Sequence, residues 1–228
     1  MRPIVIAHRG ASAYRPENTV EAILKAVELG ANAVEVDVRR SRDGELVVIH
    51  DESLRRVAGL NVKVSELSYE QLRKVRLKEG GWIPTLPEVI EITKSKAALV
   101  VEAKEEGFEH ELVGFLQGLE EVTVTSFIHR SVKKVKELAR QLETGVIYTC
   151  LPVKVVDLAL DAEADAIFPR RDFTTVEVVE EAHRHGLKVY PWTVDDVDEA
   201  VCLAKLGVDG LVTNRPDVVL EALRRAGL

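Results

Sequence analysis

Short runs of apolar and β-branched residues alternate along this chain with stretches in which apolar residues recur every three or four positions. The short runs are Ile4–Ala7, Val34–Val38, Leu46–Ile49, Leu99–Glu102, Val122–Ser126, Gly145–Thr149, Ala166–Phe168, Lys188–Trp192 and Gly210–Thr213. Strands spaced by amphipathic helices build a parallel sheet, since each parallel crossover needs about a dozen residues or more. Only "RRSRDGE" separates the second run from the third, which is too short for a crossover. These two runs therefore form an antiparallel hairpin, with Asp43-Gly44 as a two-residue turn and a register that sets Asp37 against His50. Eight parallel strands remain, and eight βα units in 228 residues predict an α/β fold, a (β/α)8 TIM barrel.

Capping signals support this division. Asn18 is the expected N-cap of a helix "VEAILKAVEL" closed by Gly30, with Glu21 three residues into it. Ser68 with Gln71 and Thr85 with Glu88 repeat the capping-box spacing. The stretch 51–84 reads as a small subdomain inserted after strand two, with its own helix "YEQLRKVRL", inside a single domain spanning 1–228. Linkers and low-complexity tracts are absent from the sequence.

Composition narrows the partners. The chain is 46% hydrophobic, 5% aromatic and carries a formal charge of -7, with a pI near 5.5. Lys and Arg are not concentrated on any segment, which argues against a nucleic-acid partner. Every apolar run falls short of the ~20 residues that span a bilayer, so the expectation is a cytoplasmic protein without stable membrane insertion. Homo-oligomerisation stays open. Cys150 and Cys202 lack metal-type spacing and are expected as two free thiols.

In such a barrel the chemistry sits at the C-terminal ends of the strands. Those ends carry His8 and Arg9, Glu35 and Asp37, Glu102 and Lys104, Ser126, Trp192, and Thr213 with Asn214. Glu35 and Asp37 are two apart on one strand and so share a face, here the barrel interior. Joined by Glu102, they would repel one another strongly unless positive charge lay among them. Three oxygen ligands without His or Cys suit one hard divalent cation, Mg²⁺ or Ca²⁺ with Mn²⁺ also allowed. The competing arrangement is a cluster neutralised by Arg9 and Lys104 alone. His8 from strand one and His50 from the hairpin converge on the same carboxylates, which suits general acid and base roles. His110, His129, His183 and His185 fall on helices or a loop and read as ordinary surface residues. Two proton-transfer groups supply roughly 10² to 10⁴ each, against the roughly 10⁶ or more that enzymes achieve. Electrostatic stabilisation must supply the remainder, and a cation with Arg9 and Lys104 suits a phosphoryl group gaining charge.

Taken in order, "HRG" at His8, "PENT" at Pro16, "EVD" at Glu35, "DG…VVIHD" from Asp43, "IPTLPEV" at Ile83, "VEAK" at Val101, "SF" at Ser126, "WTV" at Trp192 and "VDGLVTNRPD" near the end resemble the glycerophosphodiester phosphodiesterase family over essentially the whole chain. The resemblance implies a metal-dependent barrel that hydrolyses glycerophosphodiesters to sn-glycerol 3-phosphate and an alcohol. It places the catalytic pair at His8 and His50 and the metal carboxylates at Glu35, Asp37 and Glu102. Arg9 and Lys104 fall on the phosphate-holding positions and Trp192 on the aromatic near the glycerol end, with Ser126 and Asn214 as supporting residues. Alternatives within the same machinery are a lysophospholipase D-like activity on lysophospholipids and a non-catalytic barrel that binds phosphate ligands. Two positions depart from the family pattern: Asn214 stands where Asp is frequent, and Asp195 where Asn is common. Both are expected to lie off the histidines and to bear on substrate detail. Glu17 has no assigned role at this level.

Overall fold

The computed structural model describes residues 2–228. Its strands are β1 Ile4–Ala7, β2 Ala33–Arg40, β3 Leu46–Val48, β4 Ala98–Ala103, β5 Val122–Ser126, β6 Glu143–Tyr148, β7 Ala166–Pro169, β8 Lys188–Val189 and β9 Gly210–Thr213. Spatial order is β8-β7-β6-β5-β4-β2-β1-β9, all parallel, with β3 antiparallel on β2. The seam between β8 and β9 is closed by single backbone bonds, Asp209 N–H to Val189 O at 3.0 Å and Val212 N–H to Pro191 O at 3.0 Å. The strand expected to run to Trp192 pairs regularly only at Lys188–Val189, and Pro191 within the remainder has no N–H to give a ladder. The result is the eight-stranded (β/α)8 barrel that the alternation predicts.

Helices α1 Val20–Glu28, α2 Arg55–Ala58, α3 Tyr69–Arg73, α4 Leu86–Thr93, α5 Glu109–Leu116, α6 His129–Leu138, α7 Asp157–Asp161, α8 Val176–Arg184, α9 Val197–Lys205 and α10 Pro216–Arg225 complete the described chain. Their apolar stripes pack on the outer faces of the strands, as α1 does through Ala22, Ile23 and Ala26. Inside the barrel a separate cluster of Ile6, Ala33, Val100, Ile147, Phe168, Tyr190 and Val212 fills the floor. Side chains two residues further along a strand point the same way. The floor therefore dictates the next row up: Ile6 leads to His8, Ala33 to Glu35, Val100 to Glu102, Tyr190 to Trp192 and Val212 to Asn214. A dry apolar plug beneath and a polar ring above it follow from one alternation.

Two local expectations are corrected. The hairpin turn holds three residues, Arg42-Asp43-Gly44, closed by Ser41 N–H to Glu45 O at 2.9 Å, with Gly44 at φ +93. That left-handed glycine is the three-residue hairpin geometry rather than the two-residue one. The register moves by one accordingly: Val38 faces Val48, and Ile49, not His50, donates its N–H to Asp37 O at 2.9 Å. At the start of α1, Thr19 caps the helix by accepting from Ala22 N–H, while Asn18 sits at φ +59 with its side chain turned inward.

The segment between β3 and α4 folds over the barrel rim around Leu54, Val64, Leu72, Val75 and Ile83, packed on Val47 and Ile49. Its helix α3 ends at Arg73, shorter than the apolar pattern suggested, and α2 precedes it. No helix among the described residues is long and apolar enough to cross a membrane.

Candidate active site

Glu35, Asp37 and Glu102 meet at the barrel mouth, each able to offer one carboxylate oxygen that lies within 4.8 Å of those of the other two. The pairing of β2 with β4 sets Asp37 beside Glu102. All three are buried, Asp37 completely. Burial, with Asp37 and Glu102 close by, pushes the Glu35 carboxyl well above the usual carboxylate range. Burial and the charge of Asp37 likewise raise Glu102 to about 7, although Lys104 opposes the shift. Asp37 moves the other way: burial would raise it, but Arg9, Lys104, His50 and Asn18 together hold it low.

Arg9 and Lys104 both reach this cluster. Arg9 takes a left-handed backbone, φ +56, and donates its backbone N–H to Glu35 Oε2 at 2.8 Å. Its Nε lies 3.0 Å from Asp37 Oδ2, an ion-pair contact with the N–H directed off the oxygen, so the buried Nε makes no hydrogen bond. Lys104 Nζ donates to Glu102 and lies 3.4 Å from Asp37 Oδ1. Even so, Glu35 Oε1 and Asp37 Oδ1 are buried without a hydrogen-bond partner. Orphaned acceptors in a cluster of three carboxylates leave room for a cation, or for protons in its absence. An all-oxygen donor set with two unused oxygens fits a hard divalent cation.

Both histidines lie close enough to feel the charge of Asp37, and each is anchored through Nδ1. His8 Nδ1 lies 2.8 Å from Asn214 Oδ1, and its backbone is tied to β9 by His8 N–H to Thr213 O at 2.8 Å. Burial and then Arg9 lower its pKa. His50 Nδ1 lies 2.7 Å from Asp51 Oδ1. Burial lowers His50 too, against the pull of Asp37 and Asp51. Its reach does not come from strand register, because the chain leaves the ladder after Ile49; Arg39 Nε to His50 O, 2.9 Å, fixes its backbone instead. Neither Nε2 makes a hydrogen bond among the described residues.

Several residues not singled out from sequence complete the site. Asn18 Nδ2 donates to Asp37 Oδ2 at 2.7 Å, and Asn18 Oδ1 accepts the Asp37 backbone N–H at 3.2 Å. Glu17, unassigned before, accepts from Arg9 at 3.0 Å and from Arg56 of α2 at 2.6 Å. Arg56 Nε also donates to Asp51 at 2.7 Å, so one chain of charges runs from Arg9 to His50. Burial would raise Asp51, but Arg56 and His50 hold its carboxyl at about 2. A cleft of about 670 Å³ opens beside His50, lined by Arg39, Asp51 and Arg56 among others.

The supporting residues divide. Trp192 gives its indole N–H to Phe168 O at 2.8 Å and stands edge-on to Phe127, with ring centroids 5.5 Å apart, so it offers a face rather than a donor. Ser126 donates to Ala103 O and accepts from Ile128 N–H, which fastens the end of β4 without touching the carboxylates or the histidines. Asn214 and Asp195 contradict the expectation: the contact of Asn214 with His8 puts this pair directly behind the histidine. His129, His183 and His185 bond to Ile147 O, Asp209 and Glu181 O, away from this site, and both cysteines are free and exposed.

A (β/α)8 barrel whose mouth gathers three buried carboxylates, two cations and two histidines anchored at Nδ1 has the architecture of a phosphate-ester hydrolase. Residues 8–218 match the model of the glycerophosphoryl diester phosphodiesterase family. A glycerophosphodiester phosphodiesterase of Caldanaerobacter subterraneus subsp. tengcongensis is 37% identical, covering 100% of both chains. Among solved structures, an Oleispira antarctica phosphodiesterase in complex with the product sn-glycerol-3-phosphate superposes with a TM-score of 0.90 at 27% identity, over 98% of this chain and 97% of that one. The Thermotoga maritima glycerophosphodiester phosphodiesterase gives 0.85 at 28% identity, over 97% and 98%. This chain belongs to the glycerophosphoryl diester phosphodiesterase family and is a phosphoric diester hydrolase.

Proposed function

We propose that the protein hydrolyses glycerophosphodiesters to sn-glycerol 3-phosphate and an alcohol, with His8 and His50 transferring protons beside a divalent cation held by Glu35, Asp37 and Glu102. The observation that carries this reading is the shared anchoring of the two rings. Each Nδ1 faces an oxygen, which leaves each Nε2 unused, and both rings feel the charge of Asp37 in the carboxylate triad. When bound, the cation supplies Lewis acidity and charge neutralisation at the phosphoryl oxygens. Arg9 and Lys104 orient the phosphodiester; Trp192 and Phe127 offer an apolar wall to the glycerol. One histidine accepts a proton at Nε2 from the attacking oxygen, of water or of the glycerol 2-hydroxyl, and the other donates one to the departing alkoxide.

Replacing His8 or His50 with Ala is expected to leave less than about a tenth of wild-type turnover while fold and cation binding persist. Retention of more than that in both variants defeats the acid and base assignment. A lysophospholipase D-like preference finds support in the exposed apolar side chains Phe127 and Leu151 that follow β5 and β6. Rates on glycerophosphocholine against lysophosphatidylcholine separate the two substrates.

A further inference from the structure

Behind His8 lies a set of groups in which nearly every proton is fixed by chemistry. Asp195, in the connection between β8 and α9, is acceptor-only when ionised. Its Oδ1 receives the Asn214 backbone N–H at 2.8 Å and the Thr213 hydroxyl at 2.9 Å, and its Oδ2 receives Asn214 Nδ2 at 2.6 Å. Thr213 Oγ1 accepts the Arg215 N–H at 3.1 Å, so its own proton goes to Asp195. Among the described residues Asp195 makes no ion pair; its hydrogen bonds all go to the end of β9.

The consequence runs outward. With its nitrogen committed to a carboxylate, the Asn214 amide must turn its oxygen the other way, where it lies 2.7 Å from Ser12 Oγ and 2.8 Å from His8 Nδ1. An amide oxygen can only accept. His8 Nδ1 therefore carries the proton, and the Nε2 lone pair is what the ring presents on its other side. We infer that Asp195 is a positioning residue that sets the tautomer of His8 through Asn214. A carboxylate would stabilise a charged imidazole directly; here its charge is held one residue back and a neutral amide touches the ring. The role of this tautomer in turnover rests on the reading of His8 as a proton-transfer group, whereas the tautomer itself does not.

The test replaces one carboxylate oxygen by a donor. In Asp195→Asn the new amide cannot accept from Asn214 N–H and Asn214 Nδ2 through both its atoms, so the Asn214 amide is released to rotate and present its nitrogen to His8. The expected result is a kcat lower by about 10² to 10⁴ with KM within about threefold, since a wrong tautomer removes proton transfer and not binding. In ¹⁵N–¹H correlation spectra, His8 is expected to change from the Nδ1–H to the Nε2–H pattern. The exchanged pair Asp195→Asn with Asn214→Asp restores an acceptor facing Nδ1 and a donor behind it. It is expected to recover at least about tenfold of the lost kcat and the Nδ1–H pattern. Unchanged kcat with an unchanged tautomer in Asp195→Asn overturns the inference, and so does a loss of activity with the Nδ1–H pattern retained. If the single variant does not fold, the exchanged pair decides alone: an Nε2–H pattern, or no turnover, overturns it. Should His8→Ala stay active, the reading of His8 as a proton-transfer group fails, and the spectra still report whether Asp195 sets its tautomer.

Discussion

Cation binding at the triad should be coupled to proton release, to an extent the site itself sets. In the metal-free protein Glu102 titrates at about 7, so near pH 6 it is mostly protonated and near pH 8 mostly ionised. A ligand must give up its proton to bind a metal, so apparent affinity is divided by one plus the ratio of protonated to ionised carboxyl. That divisor is about 11 near pH 6 and about 1.1 near pH 8, a loss of about tenfold in affinity from Glu102 alone. Glu35, raised further by burial and by Asp37 and Glu102, enlarges it; Asp37, held low, adds nothing. Proton release from Glu102 falls correspondingly from about 0.9 to about 0.1 per cation over the same range, with Glu35 contributing up to about one more. Calorimetric titration of EDTA-stripped protein with Mn²⁺, in buffers of different ionisation enthalpy, measures affinity and protons together. His8→Ala and His50→Ala should retain the coupling, because the proposed ligand set contains neither ring. An affinity equal within about twofold at the two pH values, with no buffer dependence, would refute the reasoning.

Other consequences follow from the same geometry. In stripped protein the raised Glu102 contributes stability that is fully present below its ordinary 4.5 and is lost as pH rises through about 7. Thermal midpoints without metal should therefore fall from near pH 6 to near pH 8, and saturating cation should flatten the slope; an identical slope with and without cation contradicts this. Arg56→Met removes the link between Glu17 and Asp51 and should lower kcat by about tenfold, as supporting partners of a site do. Its thermal midpoint should barely move, because half-exposed ion pairs contribute about 1 kcal/mol or less. Gly10→Ala should destabilise by about 2–5 kcal/mol in urea unfolding, adding left-handed strain to overpacking. There φ is +78, and a Cβ would stand 2.6 Å from the Ala22 backbone; a change below about 1 kcal/mol would show that α1 shifts freely.

The barrel was legible because its signals are periodic. Alternation along β1, β2, β4 and β9 puts an apolar floor below a polar ring, and the shortness of "RRSRDGE" separates a hairpin from a crossover without ambiguity. Single-residue choices were harder to read. Both a two-residue and a three-residue turn can be built around Asp43-Gly44, and they differ by one step of register; His50 arrives at the site by leaving the strand, which no alternation rule encodes. Asn18 and Thr19 are both good cap residues, and only the position of Asp37 decides that Asn18 turns inward. The Asn214 contact with His8 spans 206 positions of sequence. Glu17, Asp51 and Arg56 likewise meet across the inserted segment, so their network follows from the folded insertion and not from any local spacing.

The central claim is that these residues form a cation-dependent glycerophosphodiester hydrolase, and product release tests it most directly. Protein stripped with EDTA should release no sn-glycerol 3-phosphate from glycerophosphocholine, and restoring Mg²⁺, Mn²⁺ or Ca²⁺ separately should return turnover with at least one of them. Turnover unaffected by chelation, or absent with every added cation, would contradict the account.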